Sequence, residues 1–228
     1  MGELFDTYDK SFGAVVQSSI DFSGLPHSFF TAAKADVLRD LMATRLHGVH
    51  KPHMLDVGCG VGELHPFVRS MFGRVCGIDT STASIAQARI RNPDLQYQAY
   101  AGETFPYDRA TFDLSMAVCV LHHVPPRRWV GFLREMRRVV RPGGLVCLIE
   151  HNPFNPLTRL AVARCEFDAD AVLLRARAAR ALMADAGLHE ARSHYFLLLP
   201  WAGPLARRVE HGFRRIPFGA QYIASAIA

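Results

Sequence analysis

The glycine-rich segment at residues 55–63 constrains the fold of this chain more than any other feature. It reads LDVGCGVGE and continues a short apolar run that begins at His53. Three glycines at alternate positions let the backbone turn sharply and approach a ligand closely. A buried strand that ends in such a loop, with helical sequence after it, indicates a parallel α/β sheet that binds a ligand beyond the carboxyl ends of its strands.

Strand and helix patterns alternate over most of the remaining sequence. Short apolar runs are separated by segments whose apolar positions have helical spacing, a pattern typical of a parallel sheet covered by helices on both faces. The predicted strands cover 53–58, 74–79, 95–100, 112–120, 144–151, 193–200 and 220–228. The length of 228 residues then suffices for one domain.

The two ends of the chain differ from this alternating centre. Residues 1–45 favour helices around a break at 22–30, with Thr31 as the N-cap of a second helix, and we interpret them as a helical cap of the same domain. Residues 46–228 form the main part. Within it, the segment 201–218 is a basic amphipathic insert, with Arg207, Arg208, Arg214 and Arg215 beside Trp201, Leu205, Val209, Phe213 and Ile216.

Composition excludes several classes of protein. The net charge of +5 comes from scattered arginines rather than one basic stripe, so we expect no nucleic-acid partner. The five cysteines form no CxxC pair, which argues against disulfides and a zinc site and favours a reducing, cytoplasmic location. We predict no metal site, although an ion bridging Asp or His side chains stays open. No apolar run is long enough for a membrane helix.

An acidic residue ends the second predicted strand. Asp79 lies 19 residues after Gly60, where a carboxylate would accept hydrogen bonds from two ribose hydroxyls. Glu63 stands where the last glycine of a G-x-G-x-x-G dinucleotide loop would be. The sequence therefore indicates a nucleoside-containing ligand and argues against a standard dinucleotide site.

Residues 50–150 resemble the class I S-adenosylmethionine-dependent methyltransferases. Four motifs occur in the order and spacing of that family: LDVGCGVGE, GIDTS, FPYDRATFDLSMAVCVLHHV and RPGGLVCLIE. The resemblance implies a Rossmann-like, doubly wound α/β fold, with a mostly parallel seven-stranded sheet and an antiparallel last strand. It also implies S-adenosyl-L-methionine as cofactor and methyl transfer as the reaction.

The resemblance further implies roles for individual positions. Asp56 and the backbone of Gly58, Cys59, Gly60 and Gly62 would hold the methionine part, Asp79 the ribose, Thr80 or Ser81 the adenine, and the Ala117–Val118 backbone and His122 would lie beside the cofactor. One departure concerns the adenine. Ala101 stands where relatives often carry aspartate, and we expect Gly102 and Glu103 to take over that contact.

Residues for the acceptor follow the fourth and fifth strands. A hydroxyl acceptor must lose a proton, and imidazole is the side chain whose ordinary pKa lies nearest neutral pH. The catalytic candidates are therefore His151, Glu150 and His123, with the alternative that each only shapes its loop. Tyr8, His27 and Asn152 are candidate substrate contacts, and Phe30 of the cap is a further aromatic candidate for the pocket.

We expect a cytoplasmic enzyme, monomeric or homodimeric, that methylates a small-molecule acceptor; oxygen is the favoured acceptor atom, and nitrogen and carbon stay open. An alternative is a lipid- or quinone-like acceptor at a membrane surface, contacted through 201–218. Nucleic-acid methylation and cofactor binding without catalysis are the remaining alternatives. No base-flipping motif supports the former.

Overall fold

The computed structural model describes residues 12–201 and 203–228; Tyr8 and the side chain of Arg207 lie outside this part. Seven strands form one sheet in the order β3-β2-β1-β4-β5-β7-β6. They are β1 (His53–Val57), β2 (Arg74–Asp79), β3 (Gln96–Ala99), β4 (Phe112–Val118), β5 (Val140–His151), β6 (His189–Phe196) and β7 (Gln221–Ile227). β7 pairs antiparallel with β5 and β6, and the other pairs are parallel. The predicted fold class, with its antiparallel last strand, is confirmed.

Eight α-helices are described outside the sheet. They are α1 (Phe12–Ile20), α2 (His27–Arg45), α3 (His65–Val68), α4 (Thr82–Arg91), α5 (Trp129–Val139), α6 (Pro156–Arg164), α7 (Ala176–Asp185) and α8 (Pro204–Phe213). Short 3₁₀ turns cover Leu121–His123 and Glu166–Asp168. Both turns lie at the carboxyl-end side of the sheet and bear on the site below.

Apolar residues cover both faces of the sheet. Alternate residues of β1 point to opposite sides, so that Leu55 joins one buried cluster and Met54 the other. The first cluster packs under α5, whose buried Leu133 and Met136 lie on one helical face, and under α7. The second packs under α2, which contributes Leu38. The strands that carry the site are therefore rigid, buried elements.

Helix α2 begins earlier than the sequence predicts. It starts at His27, whose backbone N–H donates to Oε1 of Gln17 at 2.7 Å, so a side chain of α1 satisfies the first helical donor. Thr31 is not the N-cap: its hydroxyl lies inside the helix and donates to the His27 carbonyl at 3.3 Å. Phe30 packs against the second apolar cluster and does not line the cavity described below, contrary to the prediction.

The basic insert between β6 and β7 contains a helix, α8. Glu210 on this helix accepts the backbone N–H groups of Leu198 and Leu199 at 2.8 and 3.2 Å, which fastens α8 to the end of β6. Trp201 and Leu205 expose 55% and 72% of their surface. Among the described residues, no helix combines the length and apolarity needed to cross a membrane.

Candidate functional site

The carboxyl ends of β1, β2, β4 and β5 open into one cavity of about 770 Å³. Helices α1 and α2 close it from one side and α6 borders it from another. Residues lining it include Val16, His27, Lys34, Asp56, Gly58, Cys59, Gly60, Asp79, Thr80, Ala101, Gly102, Glu103, Val118, Cys119, His123, His151, Val162 and Asp168. The N-terminal cap therefore forms a wall of the cavity.

The glycine loop turns tightly between β1 and α3. The N–H groups of Gly58 and Cys59 both donate to the Ile78 carbonyl, at 2.7 and 3.1 Å, which docks the loop on β2. Gly60 has φ of +51°, and a Cβ there would meet no protein atom within 4 Å. Gly60 thus leaves room for a ligand against bare backbone.

The two flanking glycines serve packing inside the protein. A Cβ at Gly58 would lie 2.5 Å from Cγ2 of Val120, and one at Gly62 would lie 2.7 Å from the Tyr97 hydroxyl oxygen. Gly62 does not line the cavity. Its predicted cofactor contact is therefore replaced by a role in bringing the loop close to Tyr97.

Asp56 is a buried carboxylate, and one of its two oxygens has no hydrogen-bond partner among the described residues. Its Oδ2 lies 3.0 Å from Nε2 of His65, whose Nδ1 lies 2.5 Å from the Tyr97 hydroxyl. Oδ1 is buried and has no hydrogen-bond partner among the described residues, although Asp56 lines the cavity. A buried carboxylate oxygen requires a donor. An ammonium group of a bound ligand would satisfy it.

Asp79 holds the loop and faces the cavity. Its Oδ2 accepts from the Gly60 N–H at 2.8 Å and its Oδ1 from the Ser81 N–H at 2.9 Å. Burial raises the pKa of this carboxyl, against these hydrogen bonds. Each oxygen keeps a further lone pair, so the group can still accept hydroxyl donors of a ribose.

The residues expected near the adenine divide into two groups. Thr80, Gly102 and Glu103 line the cavity, whereas Ser81 is buried and caps α4 by accepting the Ser84 N–H at 3.0 Å. Arg128 donates to the Gly102 carbonyl at 3.3 Å and to Glu103 at 3.1 Å. The carboxylate of Glu103 is thus turned to Arg128 at the rim.

Two residues predicted beside the cofactor are buried elsewhere. Val118 at the end of β4 lines the cavity, but Ala117 belongs to the first apolar cluster. His122 is 1% exposed and does not line the cavity. Successive side chains of a strand point to opposite faces, so the Ala117 side chain faces away from the cavity, and a contact through the Ala117–Val118 backbone stays a prediction.

Glu150 is buried behind the cavity wall. Its Oε1 accepts the Leu121 N–H at 2.8 Å, and its Oε2 lies 2.5 Å from Nδ1 of His122. Burial opposes its charge, yet His122 outweighs this and lowers the pKa of Glu150. For His122, burial is again outweighed, here by Glu150 and Asp168, and the pKa is raised well above its ordinary value. Glu150 therefore cannot reach an acceptor as the predicted base.

Asn152 organises a loop and does not contact the cavity. Its side-chain amide donates to the carbonyls of Pro217 and Gly219 at 2.9 and 2.7 Å, and its Oδ1 accepts the Phe154 N–H. All its polar atoms are engaged and it is fully buried. The predicted substrate contact at Asn152 is wrong, because the chain at the end of the insert packs on this residue and its carbonyl groups accept the hydrogen bonds of the Asn152 amide.

The end of the cavity that lies at the carboxyl ends of β4 and β5, here called the acceptor end, is rich in nitrogen-containing side chains. His151 and His123 line it, together with Lys34 of α2. Burial would raise the pKa of Cys119 between them, but Lys34 and His151 outweigh burial and lower it to about 7. His27, a predicted substrate contact, lines the cavity and lies 3.2 Å from Glu63.

Three site residues escaped the sequence analysis: Lys34, His65 and Asp168. Asp168 Oδ1 lies 3.3 Å from Nε2 of His122 and 3.4 Å from Nε2 of His123. The signal for His65 was a polar residue in the otherwise apolar helix after the glycine loop. For Lys34 and Asp168 no local pattern existed, because their partners are 85 and 46 residues away, counting from Cys119 and His122.

Comparison with known proteins agrees with this geometry. Residues 55–148 match the model of a methyltransferase domain family. The malonyl-[acyl-carrier protein] O-methyltransferase of Salmonella typhimurium is 34% identical over 111 residues, 47% of this chain and 42% of that protein. The ubiquinone biosynthesis O-methyltransferase of Paracidovorax citrulli is 32% identical over 120 residues, half of each chain. The chain thus spans about half the length of these curated relatives.

A solved structure extends the likeness to the whole fold. The S-adenosylmethionine-dependent methyltransferase of Thermotoga maritima, described as a possible histamine N-methyltransferase, superposes with a TM-score of 0.67 at 17% identity. The match covers 100% of this chain and 99% of the other. Residues 55–148 are therefore similar to a methyltransferase domain family, and the whole chain shares the fold of an S-adenosylmethionine-dependent methyltransferase. S-adenosylmethionine is the cofactor that this resemblance implies. The free Asp56 oxygen and the open space at Gly60 fit that cofactor.

Proposed function

We propose that this protein transfers a methyl group from S-adenosylmethionine to an oxygen of a small-molecule acceptor. The observation that carries the proposal is the single cavity in which a histidine-lined end adjoins the glycine loop. The two curated relatives described above are O-methyltransferases, which supports oxygen as the acceptor atom. For the acceptor we propose a chemical class, namely small molecules that carry an ionisable hydroxyl group.

The residues on the cofactor side of the site would bind S-adenosylmethionine and orient its methyl group. When bound, S-adenosylmethionine supplies an electrophilic methyl carbon, so the protein's task is alignment and exclusion of water. Asp56 Oδ1 would accept from the methionine ammonium, and Asp79 from the ribose hydroxyls. The walls from α1 and α2 would keep water from the reacting atoms.

We assign proton removal from the acceptor to His151. Its ring lines the cavity, and no carboxylate among the described residues is within ion-pairing distance of it. Its Nδ1 has a 3.5 Å contact with Nε2 of Gln221. His123 also lines the cavity, but Asp168 and Asp170 lie 3.4 and 3.7 Å from its ring nitrogens. Glu150 does not contact the acceptor; its role is to hold the ring of His122 in place.

The test uses methyl-labelled cofactor and a panel of phenols, hydroxy acids and amines, with product mass as the readout. A labelled oxygen product is expected. In His151→Gln, turnover should fall by about 10²–10⁴, the range typical of general acid–base catalysis, while cofactor affinity stays unchanged. The exposed His189 supplies the matched control, His189→Gln. A His151→Gln enzyme with more than about a tenth of wild-type turnover would remove His151 as base.

A lipid- or quinone-like acceptor is the second candidate function. Leu205 of α8 and Phe218 beyond it expose 72% and 63% of their surface, next to Arg208, Arg214 and Arg215 of the same insert. An apolar surface flanked by arginines suits an anionic membrane. The expected affinity is at most modest.

Flotation with phosphatidylglycerol vesicles at low and high salt tests this candidate. Binding that appears at low salt and is screened at high salt would support it, because surface charges attract less in salt. Leu205→Glu should abolish that binding, whereas Ile90→Glu, an exposed apolar residue on α4, should leave it intact. No binding to wild type at low salt would contradict the membrane alternative.

A further inference from the structure

Two histidines and a carboxylate converge at the acceptor end of the cavity. His122 and His123 follow β4 in one 3₁₀ turn, and Asp168 ends another. One potential ligand atom from each lies within 4.8 Å of the other two. The loop that carries Asp168 is tied to the histidines, since the Val172 N–H donates to the His122 carbonyl at 2.9 Å.

The separations suit a metal ion. Asp168 Oδ1 is 3.3 Å from Nε2 of His122 and 3.4 Å from Nε2 of His123. Ligands at about 2.0–2.2 Å from an ion in tetrahedral or octahedral geometry lie about 3.0–3.5 Å apart. Both separations from Asp168 Oδ1 therefore already fit a coordination sphere.

His122 provides an independent sign of a missing partner. Its side chain is fully buried, and among the described residues Nε2 has no hydrogen-bond partner despite its nearness to Asp168. The other ring nitrogen is held by Glu150 at 2.5 Å. A carboxylate that holds the second nitrogen of a ligating imidazole is the usual outer partner of metal-bound histidine.

We propose that His122, His123 and Asp168 bind one divalent first-row transition metal ion, such as Zn²⁺. Two imidazoles and one carboxylate suit these ions and leave further coordination positions free. His123 and Asp168 line the cavity, so the free positions face the acceptor end. An acceptor oxygen would bind there, with its proton passing to His151. This use rests on the proposed function, but binding of the ion does not.

The experiment measures metal binding by the full chain without cofactor or acceptor. Protein freed of metal with a chelator is titrated with Co²⁺ and Zn²⁺, and stoichiometry, affinity and the visible spectrum of the cobalt form are recorded. We expect one ion per chain with micromolar affinity or tighter. The cobalt spectrum should show d–d bands without a thiolate charge-transfer band, because Cys119 and Cys59 are outside the ligand set.

Matched variants locate the ion. Asp168→Asn and His123→Gln should each weaken binding by more than the 10- to 100-fold, roughly, that loss of an outer partner costs. Asp170→Asn is the control, since this exposed carboxylate lies 3.7 Å from His123 but outside the set, and should bind as wild type does. Circular dichroism confirms that each variant is folded.

Three results would overturn the proposal: no binding by wild type at micromolar ion, unchanged affinity in both folded ligand variants, or a thiolate charge-transfer band. Failure of the methyltransferase proposal is separate. A chain that binds one ion at these residues but makes no methylated product would retain the metal site and lose only the assigned reaction.

Discussion

The two ends of the cavity have opposite electrostatic character. At the cofactor end, burial together with Asp56 and Asp79 raises the pKa of Cys59 well above its usual value. At the acceptor end, Lys34 and His151 outweigh burial and lower the pKa of Cys119 to about 7. The raised pKa of Cys59 thus indicates a negative environment at the cofactor end, and the lowered pKa of Cys119 indicates a positive environment at the acceptor end. The first suits a cationic ligand, and the second suits an oxygen that becomes anionic.

The two ends also differ in how the chain builds them. The methionine and ribose part of the cofactor end consists of two strand ends and the loops that follow them, all between residues 55 and 81, and the expected adenine contacts at Gly102 and Glu103 come from further along the chain. The acceptor end joins α2, the turn after β4, the end of β5 and the turn before α7. A variant at one end should therefore leave binding at the other end intact, which the following predictions test.

The largest effect is expected for Gly60→Val. The valine side chain would enter the open space beside the loop, and its branched Cβ is strained at φ of +51°. Cofactor binding should fall below detection in calorimetry, a loss of at least about 1000-fold or 4 kcal/mol. Gly48→Val is the control, because Gly48 also has positive φ and open surroundings but does not line the cavity. Wild-type affinity in folded Gly60→Val would place the cofactor elsewhere.

A smaller loss is expected for Asp79→Ala. The cofactor would lose two charge-assisted hydrogen bonds, about 2–4 kcal/mol, or roughly 30-fold to several hundred-fold in affinity. Part of this loss comes from the Gly60 N–H, which also loses its acceptor. Asp94→Ala serves as control, because Asp94 pairs with Arg69 at the surface. Calorimetry that shows equal affinities for the two variants would remove Asp79 from the ribose.

The smallest effect concerns thiol reactivity and needs no ligand. Because its pKa is about 7, Cys119 should react with iodoacetamide at a rate that rises about tenfold per pH unit up to pH 7 and then levels off. Cys59 should remain slow through pH 9, because its thiolate forms only at higher pH. Peptide mass spectrometry after timed alkylation measures both sites.

Lys34→Met sharpens this last comparison. Removal of the ammonium should move the inflection of Cys119 upward and leave Cys59 unchanged, since Lys34 is a major source of the lowered pKa. An inflection that stays near pH 7 in this variant would contradict the positive character assigned to the acceptor end.

Much of the sheet and the cofactor end could be predicted from local patterns. Apolar runs mark the seven strands, although β5 begins at Val140 and β6 at His189, each four residues before its predicted start, and the glycine spacing marks the loop after β1. Asp56 and Asp79 come together because the carboxyl ends of neighbouring parallel strands lie at one edge. The start of α2 was predicted at Thr31 because the sequence shows a good capping residue there. The helix instead begins at His27, whose backbone N–H donates to the side chain of Gln17, ten residues before His27.

The sequence by itself determined the fold class and the acidic positions at the carboxyl ends of β1 and β2, because these depend on spacing within one β-strand, loop and helix unit. Tertiary structure decided the acceptor end. It turned Glu150 inward to His122 and used Asn152 to hold the returning insert, whereas Lys34 and Asp168 were brought in from distant segments. The physical reason is that burial and partner choice of a polar side chain depend on elements that pack from elsewhere in the chain, and no local periodicity encodes them.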